Sequence, residues 1–149
     1  MRTKQIKQPA LSPIKKTPGA RNRTAGHNFE RQVVNKLKDI GFEHASTTRL
    51  ESKARDDQKI DIMNRNEHAN GRLPYNIQCK NTAGTLKYAK VLAELPTGKE
   101  INVVFHNQTE KCGTRFNTIG QYAFLNLEDF LDILKQLEEA KKVLIKHNK

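Results

Sequence analysis

The apolar positions of this chain alternate between two periods. Phe29, Val33, Val34, Leu37 and Ile40 recur at helical spacing. Asn28 before them and Gly41 after them are helix start and stop signals, so the spacing predicts a helix opening at Asn28. Residues 42–48, 59–64, 75–81, 101–105 and 121–125 read as strands, and the polar stretches 49–58 and 111–118 as loops. A second helix is expected over 85–95, with Leu86, Ala89, Leu92 and Ala93 inward and Pro96 ending it. A third opens after Asn126, with Glu128 and Asp129 in its first turn and Phe130, Leu131, Leu134, Leu137 and Leu144 on its apolar face. This order predicts an α/β fold, a mixed β-sheet flanked by α-helices.

Four polar residues stand where that pattern expects apolar ones. Glu30 lies within the apolar arc of the first helix, and Asp61 interrupts Lys59-Ile60-Asp61-Ile62-Met63. Gln78 and Lys80 share one face of Tyr75-Asn76-Ile77-Gln78-Cys79-Lys80. Asn70-Gly71 is a strong hairpin signal. Taken as the two turn residues, it pairs Asp61 with Lys80 and Met63 with Gln78. Asp61, Gln78 and Lys80 then converge on one side of the sheet, and Ile60, Ile62, Ile77 and Cys79 take the other.

Charge changes the picture. The 149 residues carry 27 Lys and Arg against 16 Asp and Glu, a net charge of +11. A polyanion is the expected partner, through counterion release. Residues 1–24 hold Arg2, Lys4, Lys7, Lys15, Lys16, Arg21 and Arg23, no acid, and three prolines. They read as a flexible basic arm, with the folded domain over 25–149. The arm lacks the apolar segment of a secretory signal, and no run elsewhere is long enough to span a membrane. Cys79 and Cys112 form no C-x-x-C pair, and no two histidines have helical metal-site spacing.

Acids beside an amide and a lysine point to a divalent metal site that cuts phosphodiester bonds. Mg²⁺ favours hard oxygen ligands. Asp61 offers a carboxylate, Gln78 an amide oxygen and Cys79 its backbone carbonyl. Lys80 can orient the nucleophile or offset phosphate charge. Glu30 can hold a metal-bound water or a second ion.

These residues resemble the PD-(D/E)XK nuclease superfamily, most closely its archaeal-type and phage Holliday junction resolvases. Gly26-His27-Asn28-Phe29-Glu30-Arg31 matches the G-x-x-F-E-R motif that opens the family's first helix, and Gly41-Phe42 the Gly-Phe after it. Arg49 and Ser52 resemble an Arg and a Ser of a mobile loop, and Asp61-Ile62 the Asp-Ile of the second strand. The likeness covers roughly residues 26–95. Ile60 stands where a proline is common, and Gln78 replaces the usual Glu, giving the Q-x-K form of the Mrr-type branch. Asp57 or Glu51 could compensate for the missing charge.

The resemblance implies a restriction-endonuclease-like fold and a Mg²⁺-dependent DNA endonuclease, with Mn²⁺ expected to substitute. The implied substrate is a four-way junction, cut by paired symmetric nicks, so a homodimer follows. Glu30, Asp61, Gln78, Lys80 and Ser52 are the candidate catalytic residues. Arg21, Arg23, Arg49, Lys53, Lys87 and Lys90 are the candidate DNA contacts. The implied location is cytoplasmic, the host cytoplasm for a phage protein. A Mrr-like endonuclease on duplex DNA and a non-catalytic nucleic-acid-binding protein on a degenerate nuclease fold are the alternatives.

Overall fold

A computed structural model describes residues 17–147. The first helix, α1, runs Pro18–Asp39, ten residues ahead of the Asn28 start read from the sequence. Thr17 caps it, its hydroxyl accepting from the Ala20 N–H, and Pro18 fits the first turn because its missing N–H is not needed there. The basic, proline-containing and apolar-poor composition of this stretch masked the start. Arg21 and Arg23 therefore lie on a helix rather than in an extended arm, and the rest of the expected arm, residues 1–16, lies outside the described residues.

After α1 come β1 (Ala45–Thr47), the helical turns α2 (Thr48–Glu51) and α3 (Lys53–Asp57), and β2 (Ile62–Asn64). The stretch read as a loop over 49–58 is thus two short helices. A third turn, α4 (Glu67–Asn70), precedes β3 (Tyr75–Ala83). Asn70 closes that turn and Gly71, at φ 72°, ends it, so Asn70-Gly71 is a helix stop and not a two-residue hairpin turn. Then follow α5 (Tyr88–Ala93), β4 (Ile101–Cys112), β5 (Arg115–Phe124) and α6 (Leu127–His147). The expected loop over 111–118 is the tip of a long β4–β5 hairpin.

The five strands form one mixed sheet in the order β1-β2-β3-β4-β5, flanked by helices. Only β3 and β4 are parallel, joined by the α5 crossover. The β2–β3 register pairs Ile62 with Ile77. That is two residues from the register implied by Asn70-Gly71. A slip of two preserves which side each β3 residue faces, because side chains alternate with period two.

The two faces of the sheet bury two cores. Against α1 pack Phe29, Val33, Val34, Leu37, Ala45, Ile62, Leu73 and Ile77, with Cys79 and Phe105 at their edge. Beneath α5 pack Ile60, Leu95 and Val104, with Val91, Leu92 and Phe124. Ile60 is therefore not on the Ile62 and Ile77 side as the alternation suggested. It precedes the strand, which starts only at Ile62. Ala89 and Ala93 are exposed, so Val91, Leu92 and Leu95 supply the α5 contact instead. Both cysteines are free. Among the described residues no helix is long and apolar enough to cross a membrane.

Candidate metal and nucleic-acid site

The site forms where β2 and β3 part. Helix α3 ends in a Schellman motif: Lys59 N–H reaches the Asp56 carbonyl at 3.0 Å and Ile60 N–H the Arg55 carbonyl at 3.1 Å. Lys59 occupies the left-handed position at φ 65°, which a glycine would adopt without strain. The turn delivers Asp61 to the β3 edge. Asp61 N–H donates to the Ile77 carbonyl at 2.8 Å, and Asp61 Oδ2 accepts the Cys79 N–H at 2.6 Å. A side chain thus replaces the next backbone partner of the ladder. N–H and C=O of one strand residue point toward the same neighbour, so the Cys79 carbonyl also faces this fork.

Along the backbone, Gln78 lies between those two anchor points, Ile77 and Cys79. It is 3% exposed, and its Oε1 is buried without a hydrogen-bond donor among the described residues. An unsatisfied buried amide oxygen costs about 1–3 kcal/mol, so it marks a place for a cation, a donor or a water.

Glu30 projects from α1 and is buried, paired with Arg49 Nη2 at 2.9 and 3.2 Å. Burial raises its pKa, and the Arg49 guanidinium opposes that rise. Burial pushes the Asp61 carboxyl up to about 6; the Cys79 N–H and Lys80 pull it down, while Glu30 and Asp56 push it further up. Glu30, Asp61, Lys80 and Arg49 therefore share one electrostatic neighbourhood. The Cys79 thiol is pushed up by burial, then by Asp61 and Glu30, and packs as an apolar group.

Asp56 belongs to this neighbourhood and was not singled out from the sequence. It acts on both Glu30 and Asp61. Neither suggested substitute does so. Glu51 is held by Arg65 at 3.0 Å and the Ser46 hydroxyl at 3.4 Å, and Asp57 is exposed. Asp56 was hidden in a polar run read as a loop; it lies in the last turn of α3, just before the turn that delivers Asp61.

The other expected site residues are dispersed. Ser52 caps α3 through the Arg55 N–H and lines a cleft with Arg55, Glu67, Arg72 and Glu100, not the fork. Lys53 is exposed on α3, and Lys87 and Lys90 are exposed at α5. Arg21 and Arg23 are exposed on the first turns of α1. Arg49 is bound to Glu30, with 42% of its side chain exposed. His27 sits one turn before Glu30; burial lowers its pKa, as do Arg49, Arg31 and Arg23, so these three cations gather at the mouth of the site.

His106 was also missed. It is fully buried opposite Lys80 in the β3–β4 register, between the Thr82 hydroxyl at 3.0 Å and the Tyr88 hydroxyl at 3.1 Å. Burial lowers its pKa, and the hydrogen bond to Thr82 opposes that shift.

Among the described residues no three His, Cys, Asp or Glu side chains converge as metal ligands. Any ion at the fork depends on the Gln78 amide and a main-chain carbonyl for its further protein donors. No protein-family model matches the chain, and no curated protein or solved structure does either.

Proposed function

We propose that the chain is a divalent-metal-dependent DNA endonuclease of the PD-(D/E)XK type, acting on four-way junctions. The observation that carries this reading is the buried Gln78 Oε1, without a hydrogen-bond partner among the described residues, on the strand whose next residue donates its N–H to the Asp61 carboxylate. Asp61, Gln78 Oε1 and the Cys79 carbonyl offer hard oxygens of the kind Mg²⁺ takes while keeping several waters. Glu30 adds charge behind them. The chemistry that such an ion supplies is polarisation of a phosphate oxygen and acidification of a water.

The remaining steps fall to this chain's residues. With its carboxyl raised only to about 6, Asp61 is mostly ionised at neutral pH and so able to hold a cation. Lys80 offsets the charge that builds on the phosphate as water attacks phosphorus and the sugar oxygen leaves. Arg49 pairs with Glu30 and favours its ionised form against the effect of burial. Arg23 and Arg31, near His27, attract the backbone on either side of the scissile bond.

Paired nicks require two copies, and α6 supports that part of the reading. Leu127, Phe130, Leu131, Leu134 and Leu137 are 41–67% exposed on it. Their spacing of three and four residues makes a continuous stripe. A stripe so long on a monomer marks an interaction surface. A junction and a linear duplex of the same arms, each incubated with Mg²⁺, test the substrate. Preferential cutting of the junction supports the proposal, whereas equal cutting assigns a duplex endonuclease.

A further inference from the structure

Lys36, Gln121, Asn107 and Asn81 form a hydrogen-bonded row across α1, β5, β4 and β3. Lys36 Nζ donates to Gln121 Oε1 at 2.6 Å. Gln121 Nε2 donates to Asn107 Oδ1 at 3.0 Å, and Asn107 Nδ2 to Asn81 Oδ1 at 2.9 Å. The three amides stand in register on neighbouring strands. An ammonium can only donate, so Lys36 fixes the orientation of every amide in the row. Asn81 is left presenting its NH₂ group, which donates to no protein acceptor among the described residues.

That end of the row opens into a cleft of about 530 Å³ between the start of α1 and the β4–β5 hairpin. Asn22, Asn81, Thr109, Phe116 and Thr118 line it. Phe116 is 58% exposed and makes no ring contact with another aromatic among the described residues. The cleft therefore pairs an open aromatic face with a directed amide donor. Arg115 precedes Phe116 along β5, and Arg21 lies one turn from Ala25, another residue of the cleft wall.

We infer that this cleft binds one nucleotide unpaired at the branch point of the DNA substrate, its base stacked on Phe116 and its edge accepting from Asn81 Nδ2. An unpaired base offers both a free face and free acceptors; in a duplex, stacking and pairing occupy them. Arg21 and Arg115 lie where they meet the flanking phosphates. Lys36 is a positioning residue, acting through the amide row. The inference rests on the nucleic-acid reading above but not on cleavage.

The test uses the full chain in EDTA, with 2-aminopurine-labelled single strands and an unlabelled duplex. Wild type quenches the 2-aminopurine on binding. Phe116→Ala abolishes the quench and weakens single-strand binding by about fivefold or more, with duplex affinity unchanged; Phe116→Trp keeps the quench. Asn81→Asp, which replaces a donor by an anion, weakens single-strand binding similarly, and Lys36→Met weakens it less. If wild type binds DNA but Phe116→Ala and Asn81→Asp match it in affinity and quench, the cleft assignment is overturned and the endonuclease reading stands. If wild type binds neither DNA, both fall.

Discussion

Asp61 Oδ2 takes the Cys79 N–H at 2.6 Å, in the place where a β2 carbonyl would continue the ladder. This bond opens the sheet beside Gln78 and buries a carboxylate that would be better hydrated. Burial raises its pKa from 3.8 to about 6. The protonated form therefore favours the fold. Its contribution is complete below the ordinary Asp value and is lost as pH rises through about 6.

Asp61→Asn keeps an acceptor for Cys79 and removes the charge. It should stabilise the metal-free protein at pH 7.5 by up to about 3 kcal/mol, and the gain should shrink toward zero near pH 4. Denaturant melts at both pH values in EDTA check this. Equal stability of the two proteins at pH 7.5 would remove the strain argument. By the same linkage, Mg²⁺ affinity of wild type should rise with pH up to about 6 and then level off.

Gln78 is the departure from the usual carboxylate. Gln78→Glu adds a charge and a stronger ligand, so it should lower the Mg²⁺ concentration for half-maximal cleavage. Its maximal rate falls if the Gln78 NH₂ group holds water or substrate. Gln78→Ala should cut poorly at every Mg²⁺ concentration. A titration in which Gln78→Ala follows wild type would show that Gln78 is not a ligand.

The candidate site was legible in the sequence as polar residues at apolar positions, and Glu30 and Gln78 are indeed buried, with Asp61 half-buried. The strand assignments held at β3 because alternation survives a register error of two. The register itself was misread because Asn70-Gly71 ends a helical turn, a role with the same left-handed preference as a hairpin turn. The start of α1 was missed because residues 17–24 carry almost no apolar side chain, so no helical period shows there. Asp56 and His106 carry no local pattern; only tertiary packing gives them neighbours. The β4–β5 hairpin was too polar at its tip to show period two.

The arm prediction follows the observed helix start. Removing residues 1–16 takes away Arg2, Lys4, Lys7, Lys15 and Lys16 and leaves α1 with its cap. DNA affinity should fall, and the slope of log K against log salt should flatten by about 0.9 for each lost phosphate contact. The melting temperature should not change. An unaltered slope would show that these cations do not touch the backbone.

The α6 stripe predicts self-association. Wild type should sediment as a dimer, and Leu134→Glu with Leu137→Glu should sediment as a monomer with unchanged far-UV circular dichroism. Such a monomer should nick junctions without resolving them. A wild type that stays monomeric at tens of micromolar would assign the stripe to another partner.

The central claim is tested most directly by incubating a synthetic four-way junction with wild type and Asp61→Asn, each with Mg²⁺ and with EDTA. The account predicts cleavage by wild type in Mg²⁺ alone, and junction binding without cleavage by Asp61→Asn. Undiminished cutting by Asp61→Asn, or no cutting by a wild type that binds the junction in Mg²⁺, would contradict it.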